Sequence, residues 1–234
     1  MRCSPDTLQS VASSAPTDVD FRIAASRPEH RAAFRLIYEK YLDADLCEPN
    51  RFRMRVTPHQ LAPTTDVFIA IGGEGIIGTL TLVRDGESGL PMEDVFSLEV
   101  SQLRAKRLRV AEACSLANRY TGARQLVEMV ELYRLVAHFA IRQHVDHILA
   151  AVQPHHFKFY QRFMAFETLG DPRTYPSCGC EALPIYMDLR DIDQYRQKKN
   201  YGRFFGSSMP DERLISHPMS GADRRYFGYI VQQT

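Results

Sequence analysis

The fold turns on LRVAEACSLANRYTGAR, residues 108–124. Its first eleven residues are mostly apolar, with Glu112 the one acid among them, and read as a strand through the interior. A polar turn follows, and Gly122 opens a long helical pattern, GARQLVEMVELYRLVAHFAIRQH, residues 122–144. Glu128, Glu131, Arg134, His138 and Arg142 form one polar stripe on that helix. The rest of its circumference is largely apolar, so it should lie buried against a sheet.

Working outward, HILAAVQ (147–153) reads as a buried strand and QPHHFKFYQRFMAF (153–166) as a short aromatic helix. EALPIYMDL (181–189) gives a last strand, and DIDQYRQKK (191–199) a polar helix. Toward the start of the chain, DFRIAAS (20–26) gives a first strand. Ser26, Pro28 and Glu29 then form the opening of a helix over 28–44, in a capping-box pattern. Residues 45–63 are irregular, with Pro49, Pro58 and Pro63, and Thr57–Pro58 can start one helical turn. TDVFIAI, GGEG and IIGTLTLV (65–83) form two β-branched runs around a Gly-rich turn, which is a hairpin signal. A helix follows over 91–107. The order β-α-irregular-β-β-α-β-α-β-α-β implies one α/β (α+β) domain with a mixed central sheet and helices on both faces.

Composition limits the function classes. The chain has 234 residues, 44% hydrophobic and 24% charged, with a net charge of +1, so no overall field favours nucleic acid or a membrane surface. No apolar run approaches the roughly 20 residues that span a bilayer. Five cysteines at irregular spacings suit a reducing compartment better than a disulfide scaffold, and the cytoplasm is the expected location. Cys178-Gly179-Cys180 lacks the partners of a zinc site and reads as a loop; no metal is expected. Residues 1–19 read as a mobile Ser/Thr/Pro-rich tail, 20–200 as the folded domain and 201–234 as a C-terminal extension.

The element order and three stretches, LRVAEACSLANR, RYTGAR and FYQRFMAF, resemble the GNAT superfamily of acyltransferases over roughly residues 20–190. FRLIYEKYL, PTTDVFIAIGGEGIIGTLTLV and VAEACSLANR are similar to its long-chain N-acyl amino acid synthase branch, related to the acyl-homoserine-lactone synthases. The resemblance implies transfer of a fatty acyl group from acyl carrier protein to the α-amine of an amino acid. No permanently bound cofactor is implied, and acyl-carrier protein or acyl-coenzyme A serves as co-substrate. An acetyl-coenzyme A amine acetyltransferase and a degenerate binding module of the same fold are the alternatives.

Aminolysis of a thioester needs a neutral amine, a held oxyanion and a protonated leaving thiolate. Glu112, an acid in an apolar strand, fits a general base; the other reading pairs it with Arg109 or Arg119. Ala113, Cys114 and Ser115 follow it where the homoserine-lactone branch has an arginine three residues on. In the superfamily, the tyrosine matching Tyr160 often protonates the thiolate, while packing with a backbone hydrogen bond is the other reading. The donor's arm and phosphate are assigned to Ser115, Leu116, Ala117, Arg119, Gly122, Ala123 and Arg124. A helix start with Gly122 makes an anion site, although Arg124 replaces a small residue of the superfamily pattern. Ala165 likewise replaces a glycine. Cys114 is discounted as a nucleophile because no histidine pairs with it locally. Arg53 and Arg55, with Arg51 in RFRMR, are candidates to grip the acceptor's carboxylate. Arg104, Lys106, Arg107 and Arg109 form a basic patch that could steer an acidic carrier protein.

Overall fold

The computed structural model describes residues 19–175, 178–198, 201–206 and 209–233. The expected mobile tail, apart from Val19, lies outside the described residues. The core is an eight-stranded sheet in the order β1-β2-β3-β4-β5-β8-β6, with β7 also paired to β8. Its strands are β1 (Asp20–Ile23), β2 (Thr65–Gly72), β3 (Gly75–Arg84), β4 (Val110–Asn118), β5 (His147–Val152), β6 (Glu167–Thr168), β7 (Arg173–Thr174) and β8 (Glu181–Asp188). Every pairing is antiparallel except β4 with β5.

The helices are α1 (Arg27–Asp43), α2 (Glu93–Ala105), α3 (Gly122–Arg142), α4 (Phe157–Met164), α5 (Ile192–Gln197), α6 (Gly202–Gly206) and α7 (Gly221–Val231). The Ser26/Glu29 capping box starts α1, and a second box, Thr57 with Gln60, starts a single 3₁₀ turn at Pro58–Leu61. α3 lies in the largest apolar cluster with Phe68, Leu80, Ala111, Ile148 and Ile185, which come from five strands. α1 and α7 share a second cluster, and α2 sits over β4 and β5 in a third.

Two features open the middle of this sheet. β4 pairs with β5 only over Val110–Glu112 against His147–Leu149, although both strands run further. Beyond Glu112, β4 stays with β3 while β5 follows β8 to Val152. The cause is a bulge: from Thr79 to Thr81 the partner on β4 moves from Ala117 to Cys114, so β4 holds one extra residue. Ser115 sits there at φ 53, the left-handed region that a bulge uses to bend a strand.

The cysteines differ from expectation at one place. Cys178 and Cys180 are disulfide-bonded on either side of Gly179, whose N–H donates to the Tyr175 carbonyl. A two-residue separation needs no scaffold of bridges, so the odd cysteine count gave no hint of it.

Candidate active site

Glu112 lies where β4 and β5 part. Its side chain is 3% exposed, and its Oε2 accepts the Met92 backbone N–H at 2.7 Å. Met92 caps the start of α2. The alternative pairing does not occur: Arg109 bonds Asp146, and Arg119 is exposed. Burial pushes the Glu112 pKa up to about 8, partly opposed by the Met92 hydrogen bond, with the Asp94 and Glu93 charges adding to the rise. An isolated carboxylate in an apolar interior keeps its proton to this range because ionisation there costs more than in water. A base of that strength suits an amine that must lose a proton near neutral pH.

Along the gap, Cys114 and Leu116 on β4 and Ala151 and Val152 on β5 are half-buried, although most residues of these strands are sealed. Burial, and then the Glu112 charge, push the Cys114 thiol well above its ordinary value, so it stays protonated.

Tyr160 stands on α4 at 5% exposure, edge-on to Tyr133 at 5.5 Å and to Phe166 at 5.5 Å. Burial lifts its pKa to about 12, and a hydrogen bond with Tyr133 lowers it. The Tyr160 hydroxyl points to Met129 Sδ at 4.0 Å, a weak acceptor. Ala165 closes α4 at φ 56, the conformation for which the family pattern carries glycine.

Thr121, Gly122, Ala123 and Arg124 are all exposed at the start of α3, and Gly122 takes φ 71. The Thr121 side chain makes no capping bond and the first turn has no acid, so its N–H groups are open to an anion. Arg124 does not block them. It folds back onto Glu128 at 3.0 Å and lies over Tyr120 at 3.6 Å, while the fully buried Glu128 also accepts Asn118.

The three arginines of RFRMR part company. Arg51 and Arg53 are exposed, and Arg53 sits at φ 52. Arg55 is half-buried over the Tyr41 ring at 4.8 Å, and its charge acts on both Tyr41 and Cys114. The structure therefore brings Glu112, Cys114 and Arg55 to one region and leaves Arg53 outside it. The basic patch also divides. Arg104 bridges Asp85 and Glu93, and the exposed Arg109 holds Asp146, while Lys106 and Arg107 are also exposed. These two precede β4 at the end opposite α3, a strand length of roughly 25 Å away.

Two further candidate residues escaped the sequence reading: Tyr41 on α1, and Tyr175 in the loop between β7 and β8. Burial raises the Tyr175 pKa, and Glu112, Asp94 and Cys114 push it the same way; Tyr175 packs against the same apolar cluster as Cys114. Neither has a local signature; tertiary contacts alone bring them in.

Residues 32–188 match the family model of the N-acyl amino acid synthase FeeM. Among solved structures, the chain is similar to FeeM, an N-acyl amino acid synthase from uncultured soil microbes, with 22% identity and a TM-score of 0.68. That alignment covers 77% of this chain and 96% of the other. It is similar to a coenzyme A-dependent acyl-homoserine lactone synthase, MesI, with 16% identity, TM-score 0.60 and coverage of 82% and 97%. It is also similar to the synthase LasI, with 10% identity, TM-score 0.57 and coverage of 82% and 96%. No curated protein matches the sequence. The fold is that of the GNAT acyltransferases.

Proposed function

The chain belongs to the FeeM family of N-acyl amino acid synthases and is an acyltransferase, and from that premise we propose that it moves a long-chain fatty acyl group from acyl carrier protein to the α-amine of an amino acid. The observation that carries the reading is Glu112, a buried carboxylate with its pKa raised to about 8 at the point where the two central strands separate. In this reading the donor's arm enters the gap along Ser115, Leu116 and Ala117. Its phosphate rests on the N–H groups of Gly122, Ala123 and Arg124, with Arg119 alongside. Arg55 takes the acceptor's carboxylate.

Glu112 removes a proton from the acceptor's ammonium, and the free amine attacks the thioester carbonyl. The C–N bond forms, the oxyanion collapses, and the C–S bond breaks. The attacking nitrogen gives up its second proton and the thiolate takes up one, so the net transfer is from nitrogen to sulfur, with the Tyr160 hydroxyl hydrogen-bonding the departing sulfur. A phenol near pKa 12 is a weaker acid than a thiol of about 8.5. Tyr160 therefore assists as a hydrogen-bond donor during C–S cleavage, without handing over its proton in advance.

Coenzyme A as donor is the second reading, favoured by the open first turn of α3 and by the similarity to a coenzyme A-dependent synthase. Initial rates with one acceptor separate the possibilities. Long-chain acyl carrier protein should outpace the same acyl group on coenzyme A, and both should exceed acetyl-coenzyme A by at least tenfold. Equal rates for the two long-chain donors would favour the second reading. A preference for acetyl-coenzyme A would overturn the long-chain assignment.

A further inference from the structure

The C-terminal helix α7 lies beyond the residues the family model matches, and its packing bears on the acceptor side of the site. The segment from Asn50 to Val56 is held between two helices. On the α1 side, the Arg55 N–H donates to the Phe34 carbonyl at 3.1 Å and the Asn50 N–H to the Tyr38 hydroxyl at 3.3 Å. On the α7 side, Phe52 meets the Tyr229 ring edge-on at 6.0 Å. Arg51 Nη2 donates to the Tyr229 hydroxyl at 3.3 Å and to Gln233 Oε1 at 3.1 Å. Between these contacts, Met54 and Val56 are buried with Phe34, Phe227 and Ile230. α7 is itself seated by Phe227 against Phe34 at 5.0 Å and by the Asp223–Arg27 ion pair.

The backbone between the two sides turns at Arg53, whose φ of 52 is unfavourable for a side chain of this size. Asn50 closes that turn: its carbonyl accepts the Arg53 N–H, its Oδ1 the Phe52 N–H, and its Nδ2 donates to the Met54 carbonyl. A strained turn persists only where its surroundings over-determine it. Contacts on both sides are what send Arg51 and Phe52 toward α7 and Arg55 inward onto Tyr41.

We propose that α7 is a clamp on the acceptor loop, with Tyr229 the positioning residue that fixes Arg55 and thereby sets affinity for the acceptor. The inference rests on the reading of Arg55 as the carboxylate partner. Tyr229→Ala in the full-length protein removes the ring and the hydroxyl contact without touching the sheet. Hydrogen exchange over residues 50–56 should accelerate, the acceptor KM should rise roughly 3- to 10-fold, and the donor KM should stay constant. Tyr229→Phe keeps the ring edge and should recover most of the loss.

Unchanged exchange over residues 50–56 in Tyr229→Ala would overturn the clamp. So would faster exchange with an unchanged acceptor KM while Arg55→Ala raises that KM. An acceptor KM indifferent to Arg55→Ala overturns the carboxylate reading instead, and the clamp's effect on affinity with it.

Discussion

Glu112 couples the chemistry to stability. Its pKa is raised from 4.5 to about 8. Below pH 4.5 it is protonated in folded and unfolded chains alike and no penalty arises. As pH rises from 4.5 toward 8, the unfolded chain releases the proton and the folded chain keeps it, so stability is lost across that window. Glu112→Gln keeps an oxygen for the Met92 N–H and has no charge to bury. Urea unfolding should find the variant more stable than wild type at pH 8 by several kcal/mol, at about 1.4 kcal/mol per pKa unit, with the gap closing near pH 4. The same variant should lose roughly 10²-fold or more in turnover at saturating substrates. It should also lose the rise in wild-type turnover through about pH 8. Tyr160→Phe deletes only the hydroxyl and should slow transfer roughly 10- to 100-fold, less so for donors with a better leaving thiol. Equal loss for every donor would leave Tyr160 with packing alone. Arg55→Ala should raise the acceptor KM roughly tenfold, the scale of a charge-assisted hydrogen bond, while Arg53→Ala, exposed and outside the site, should change it little. Glu112 could be found from sequence because an acid in an apolar run is an anomaly. Tyr41 and Tyr175 could not, because a tyrosine on a helix stripe or in a loop is ordinary until the fold places it.

Among the elements, periodicity revealed the hairpin, the long helix α3, and the buried strands β4 and β5. Their patterns are dictated by their own residues. β6 and β7 were not legible: each is a two-residue strand whose pairing is set by β8. The bulge at Ser115 was hidden for a similar reason, since a left-handed serine carries no glycine signal. The bulge is nonetheless what parts β4 from β5, where the proposed donor path runs. The start of α3 offers a test of that path. At Gly122 an added Cβ would meet no atom within 4 Å, so space is not the constraint. The φ of 71 is, because a β-branched residue is poorly tolerated there. Gly122→Val should therefore disturb the first turn and raise the donor KM several-fold while leaving the acceptor KM near wild type. Parallel rises in both constants would argue against a donor site at this helix start.

Across the whole molecule, the order of elements and the family resemblance were legible because they are properties of sequence order and pattern. The distribution of charge was not. Four cations close in sequence suggested a patch, yet Arg104 is paired with Asp85 and Glu93, and Arg109 with Asp146. Lys106 and Arg107 lie at the end of β4 away from α3. An acidic carrier whose phosphate sits at α3 would have its body near that helix. Reversing Lys106 and Arg107 to Glu should thus slow acyl carrier protein no more than coenzyme A. A selective, salt-sensitive loss with the carrier would restore the patch as its docking surface. The account as a whole stands on the product. Purified protein, a long-chain acyl thioester and a pool of amino acids should yield, by mass spectrometry, a long-chain N-acyl amino acid in step with one thiol released per amide formed. Thiol release without any amide, or acylation confined to acetyl groups, would contradict it.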